Sequence, residues 1–181
     1  MDPGSRRRSV ETVARAPGTG KTLCLLAATL AWALPRAPGP AAAPGAPPSA
    51  RQVVVYASRT HAQLSQAVKA LRRTIYRPRV AVVGSREHLC GHSRVGKLKG
   101  TAQNRACNAL CARRACPLRN ELDRQIKANR NAAEPAEALD IEELVADGRR
   151  RNVCAYYAAR GKLQDADLIF APYEPPRADS L

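Results

Sequence analysis

The sequence predicts an α/β protein built on a parallel sheet, and three observations carry that prediction. Three short apolar runs read as buried strands, Gln52–Ala57 (QVVVYA), Arg79–Val83 (RVAVV) and Asp167–Ala171 (DLIFA). Helical segments follow the first run and the glycine-rich string APGTGKT at 16–22. Strands alternating with helices are the pattern of parallel, layered sheets. Between the second and third strands lies a long cysteine-bearing segment that breaks the alternation. It holds Cys90, Cys107, Cys111, Cys116 and Cys154, five of the six cysteines.

Composition narrows the class. The 181 residues carry 30 Lys and Arg against 15 Asp and Glu, a net charge of +15. From Arg72 to Arg130, fifteen basic residues face only Glu87, Glu121 and Asp123, a local balance of 15 − 3 = +12. Such a balance favours a polyanionic partner, against the blander reading of a solvated basic surface. No apolar stretch follows the charged opening MDPGSRRRSV, as a secretory signal would require, although the Arg-rich first sixteen residues share the bias of transit peptides. The apolar run Thr22–Leu34 is short of the about 20 residues that cross a bilayer, so no membrane span is expected. The cysteines are therefore read as reduced and available to a metal.

In chain order, residues 1–10 carry no ordering signal, and Val10–Ala14 is a candidate short strand. Gly18, Thr19, Gly20, Lys21 and Thr22 then supply most of a phosphate-binding loop. Glycines let backbone N–H groups cradle phosphates, Lys21 reaches the β- and γ-phosphates, and Thr22 can hold Mg²⁺, so a nucleotide with Mg²⁺ is the expected ligand. Arg15 stands where the first glycine of that loop usually falls. From Lys21 to Leu34 the sequence is apolar nearly all round, which predicts a buried helix with Cys24 and Trp32 in the core. Residues 35–50 are a Pro/Ala spacer. After the first strand, Ser58 is expected to cap a helix over Thr60–Arg73, and Ser58, Arg59, Thr60 and His61 are placed for a DNA phosphate. In the cysteine segment, helices are expected at Leu118–Asn129 and Ile141–Ala146, the second stopped by Gly148.

The thiols leave a choice open. A Cys₄ cluster and a zinc site need the same four ligands, with His88 and His92 as further zinc candidates, and five ordinary buried thiols are the third reading. Arg113, Arg114 and Arg119 are the expected phosphate contacts beside the thiols. Lys97, Lys99 and Arg105 should supply the flanking field.

Taken together, GTGKTLCLL at 18–26, VVYASRTHAQL at 54–64, YRPRVAVVGSREHLC at 76–90, ALDIEELVADGRRRNVCAYYAAR at 138–160 and ADLIFAPY at 166–173 resemble the iron–sulfur superfamily 2 DNA helicases of the xeroderma pigmentosum group D type. The resemblance implies a partial P-loop (RecA-like) helicase motor domain, α/β, with a helical four-cysteine iron–sulfur insertion. It implies a division into an aberrant N-terminus at 1–15, a partial ATP-binding domain at 16–84, the cluster insertion at 85–160 and a return strand at 161–181. It implies a 4Fe–4S cluster held by Cys90, Cys107, Cys116 and Cys154, with Cys111 as alternative ligand. Single-stranded or forked DNA is the implied partner, and the nucleus the implied location. The implied activity is ATP-driven 5′→3′ unwinding in repair, recombination and telomere maintenance. Ala155 stands where the family has proline, and no Asp-Glu-Ala-His string occurs, so residues 1–181 alone are expected not to hydrolyse ATP. A zinc-dependent nucleic-acid-binding module with a vestigial P-loop, or a P-loop nucleotide switch unrelated to helicases, are the competing readings.

Overall fold

The computed structural model describes residues 20–34, 52–128 and 138–173. The expected strand at 10–14, Gly18, Thr19 and the Pro/Ala spacer lie outside them. Within the described residues the chain runs α1 (Lys21–Ala33), β1 (Val54–Ser58), α2 (His61–Arg72), β2 (Val80–Val82) and α3 (Arg86–Leu89). A 3₁₀ turn (Val95–Lys97) leads to α4 (Gly100–Ala112), α5 (Pro117–Ala128), α6 (Ile141–Arg150), α7 (Ala155–Gly161) and β3 (Leu168–Pro172).

All three predicted strands form, and they pair in parallel in the order β1–β3–β2. The last strand is thus the central one. Val54 and Val80 both face Leu168 across the ladders, and Tyr56 and Val82 face Phe170. Leu168 and Phe170 are fully buried, as expected for a strand with a neighbour on each side. The Tyr56 and Phe170 rings pack with centroids 5.5 Å apart. Asp167 pins the entry of β3 by accepting from the Arg79 backbone N–H at 2.9 Å and from its guanidinium.

The helix α2 buries Leu64, Ala67, Val68 and Leu71, the spacing of one helical face, against the sheet. Its N-cap is Thr60, whose Oγ1 accepts from Gln63 N at 3.3 Å. Ser58, the expected cap, is instead the last residue of β1, two residues too early, and its hydroxyl bonds Gln63 Oε1 at 2.6 Å.

Two further expectations need correction. The helix α1 is not buried all round: Leu26 and Leu30 face the core, whereas Cys24 is exposed and Trp32 is 74% exposed. Among the described residues α1 packs mainly on α2 and β1, and only Leu26 and Leu30 of its residues are buried. Gly148 does not stop α6, which runs on to Arg150. Here glycine serves packing: a Cβ at this position would lie 3.0 Å from Ala155 Cβ and 3.1 Å from the Val153 carbonyl oxygen.

At the start of α6, Asp140 and Glu143 form a reciprocal capping box, at 2.9 and 2.8 Å. Arg72 of α2 binds the Glu143 carboxylate and the Ala138 carbonyl, tying the cysteine segment to the sheet layer. This contact bridges 71 residues of sequence.

Candidate functional site

Four stretches of chain converge on one small cavity of about 10 Å³. Cys90 follows α3, and its N–H donates to the Arg86 carbonyl at 2.9 Å. Cys107 and Cys111 lie one turn apart on α4. The chain then reverses: Arg114 adopts the left-handed conformation (φ 52°), Ala115 N–H donates to the Leu110 carbonyl at 2.8 Å, and Asn120 Nδ2 donates to the Arg114 carbonyl at 2.6 Å. That reversal sets Cys116 at the mouth of α5. Cys154 caps α7, its N–H donating to the Leu118 carbonyl at 3.0 Å. The five thiols line the cavity together with His92, Val95, Leu110, Leu118 and Tyr157. Cys24, exposed on α1, takes no part.

All five are free thiols, and Cys107, Cys116 and Cys154 are buried. Burial pushes the Cys154 thiol up to about 11. Burial also raises Cys90 and Cys107, with Cys111 adding to the rise at Cys107. At Cys90, Cys107 and Cys154 burial thus favours the protonated thiol. Among the described residues no three His, Cys, Asp or Glu side chains are placed to hold a single metal ion. Zinc requires its ligands at about 2.3 Å from one point. A four-iron cluster takes one thiolate at each of its irons, so its four ligands need not converge on one point.

Arg86, which sequence reasoning passed over, organises the wall. It is buried, its two guanidinium N–H groups donate to Asn104 and Asn108 Oδ1 at 3.0 Å each, and it stacks 4.4 Å from the Tyr156 ring centroid. Burial works against its charge, but Tyr157, Tyr156 and Cys107 outweigh that and hold its pKa above the ordinary value. The available signal was an arginine one helical turn before a cysteine. His88 and His92, the zinc candidates, each have Nδ1 hydrogen-bonded, and His92 also lines the thiol cavity. Ser85 Oγ lies 2.8 Å from His88 Nδ1, and His92 Nδ1 accepts from Arg94 and Val95 N–H at 3.2 Å each.

Of the phosphate-binding string, Gly20, Lys21 and Thr22 are described. Gly20 is the N-cap of α1 with φ 70°, a conformation that favours glycine, and Lys21 and Thr22 form the first turn, where backbone N–H groups have no helical acceptor. In the second string, Arg59 and Thr60 are exposed, and His61 opens α2. The His61 ring packs 4.2 Å from that of His88 on α3, a link from this string to the helix that precedes Cys90 and one that the sequence did not signal. The His61 Nδ1 is buried without a partner, and its pKa is lowered by burial and then by His88.

The predicted basic contacts divide. Arg113 and Arg114 are exposed in the α4–α5 reversal, and Lys97, Lys99 and Arg105 are exposed nearby. Arg119 is already committed, with Asp123 at 3.1 Å and the Tyr157 ring centroid at 4.2 Å.

A parallel sheet interrupted by a thiol-ringed helical segment defines the class, and the DEAD_2 family model matches residues 56–175. The chain belongs to the DEAD_2 family. It is similar to Regulator of telomere elongation helicase 1 of Homo sapiens, 40% identical over 185 residues that cover 86% of this chain and 15% of that protein. It is also similar to the Regulator of telomere elongation helicase 1 homologs of Oryza sativa (39% over 188 residues, 86% and 18%) and Arabidopsis thaliana (41% over 178 residues, 86% and 17%). The chain spans less than a fifth of the length of these relatives. The resemblance to helicases stated from the motifs is borne out.

Proposed function

We propose that the chain is part of an ATP-dependent 5′→3′ DNA helicase acting in repair, recombination and telomere maintenance in the nucleus. One observation carries the reading: five free thiols from four stretches of chain meet in one cavity, in a chain that shares two fifths of its residues with telomere helicases. In this reading residues 16–84 are part of the ATP-binding domain, 85–160 the cluster insertion, and 161–181 the segment of the return strand.

Gly18 to Thr22 hold the phosphates of ATP, and the Thr22 hydroxyl holds Mg²⁺. Cys90, Cys107, Cys116 and Cys154 hold a 4Fe–4S cluster, with Cys111 as the fifth thiol. A bound cluster supplies iron–thiolate bonds that join α3, α4, α5 and α7 into one body. Arg86 keeps a positive charge against the thiolates. Ser58 to His61, with Arg113 and Arg114, grip the backbone of single-stranded or forked DNA, while Arg119 braces Tyr157.

Metal analysis after purification without oxygen tests this. We expect about four irons and matching sulfide per chain. Cys116→Ser should lose the iron, and Cys111→Ser should keep most of it. Stoichiometric zinc without iron would overturn the cluster.

A further inference from the structure

Beside the thiol cavity, between residues 92–98 and α4, runs a groove of about 350 Å³. That volume lies at the low end of the roughly 300–1,000 Å³ of small-ligand sites. Its floor is aliphatic: Val95, Leu98, Ala106 and Leu110. Leu98 remains 40% exposed, and Ala109 on the rim is exposed as well. No carboxylate lines it. Its two charges are Arg94 and Arg113, both exposed, and neither side chain has an ion-pair or hydrogen-bond partner among the described residues. Several other arginines of the fold differ in this: Arg119, Arg124, Arg150 and Arg151 are all paired with carboxylates.

We propose that this groove seats a nucleobase of bound single-stranded DNA, with Arg94 and Arg113 taking the flanking phosphates. The inference rests on the DNA-binding reading above and assigns a base to a site that nothing in the motifs marks. The His92 ring is the one aromatic stacking partner in the lining, and the aliphatic floor accepts the apolar face of any base by burial. The two free cations match the backbone on either side of that base. His92 adds an oriented donor. Its Nδ1 accepts two backbone N–H groups, which places the ring proton of the neutral side chain on Nε2. An acidic peptide would find the same cations. However, the α4 wall from Ala106 to Arg113 is about 10 Å long, which suits one nucleotide better than the several turns of a docked helix.

Three lining residues, His92, Val95 and Leu110, also line the thiol cavity. An occupant of the groove therefore rests on the wall of the thiol site.

The test compares an ordinary oligothymidylate with a strand of equal length whose bases are removed, titrated against the full chain purified without oxygen. Ala109→Leu fills the groove from an exposed helical position, and Leu98→Gln makes its floor polar without adding charge. Circular dichroism should show unchanged helix content in both. We expect the wild type to prefer the base-bearing strand by about tenfold. Both variants should lose that preference while keeping their affinity for the abasic strand. Equal binding of the two strands by the wild type, or a preference that survives both variants, overturns the groove assignment while leaving DNA binding intact. Variants that bind both strands as the wild type does would assign the groove to another class of occupant, a protein segment included, and overturn it too. Failure of the wild type to bind either strand would instead remove the DNA-binding reading itself.

Discussion

Single residues decide how the thiol cavity closes. Arg114 turns the chain between Cys111 and Cys116 in a left-handed conformation that costs a non-glycine residue about 1 kcal/mol. Arg114→Gly should therefore raise resistance to urea by some tenths to about 1 kcal/mol. It should also weaken oligonucleotide binding, because a cation is lost; unchanged binding would take Arg114 out of the interface. His61 adds a pH dependence. Its pKa is lowered by burial and by His88, so the folded state favours the neutral ring. The stability this contributes is present above its ordinary value of 6.5 and is lost as pH falls through the lower folded value. The melting temperature should fall on acidification from about pH 7 to 5, and His61→Leu should flatten that fall. An identical fall in the variant would show the dependence to lie elsewhere. At this scale the sequence was readable where chemistry is local, as in GTGKT. It was silent on Arg86, whose importance comes from Asn104, Asn108 and Tyr156, none of them its neighbours in sequence.

Elements were legible when their pattern was their own. The strands stand out as β-branched apolar runs between turns, and α2 by its Leu64-Ala67-Val68-Leu71 face. The helix α4, GTAQNRACNALCA, was not assigned, because it buries only Gln103 and Cys107 and so has little apolar periodicity. It is held from outside: Gln103 Nε2 donates to the Arg86 and Val95 carbonyls, and its two asparagines take the Arg86 guanidinium. For α6 the controlling feature is its cap. Asp140→Ala should cost about 1 kcal/mol by urea unfolding, since it removes one side of the capping box. The loss should be larger in the wild-type background than in Arg72→Ala, because Glu143 serves both contacts. Equal losses in the two backgrounds would mean that cap and ion pair act independently. Gly148 was misread for a general reason. A glycine after a helical run signals a stop, but this one meets Ala155 and Val153 from across the fold.

For the whole molecule, charge and missing carboxylates set the expectations. Single-strand binding should weaken with salt by about 0.7 in log affinity per log unit of salt for each phosphate neutralised. Removing Arg113 and Arg114 together should lower that slope by about two such contacts, whereas Arg119→Gln should leave it nearly unchanged, since Arg119 is held by Asp123 and Tyr157. Because no Asp-Glu-Ala-His string is present, residues 1–181 should show no DNA-stimulated ATP turnover above background. Turnover that vanishes in Lys21→Ala would show otherwise. The α/β class and the placing of the thiol segment between two strands were readable from the order of motifs. The strand order was not, because parallel pairing between distant runs leaves no local mark on either.

That strand order fixes a sequence of events during synthesis. Among the described residues β1 and β2 do not pair with each other; both pair with β3, which begins at Leu168, 86 residues after β2 ends at Val82 (168 − 82). At about 5–20 residues per second the ribosome needs roughly 4–17 s to supply it. Throughout that interval the cysteines emerge while VVVYAS still has a free edge, the kind of segment that recruits other nascent strands. The β1 edge therefore needs protection until the whole thiol segment and β3 have been made, and slowing translation between Val82 and Leu168 should increase aggregation of the nascent chain.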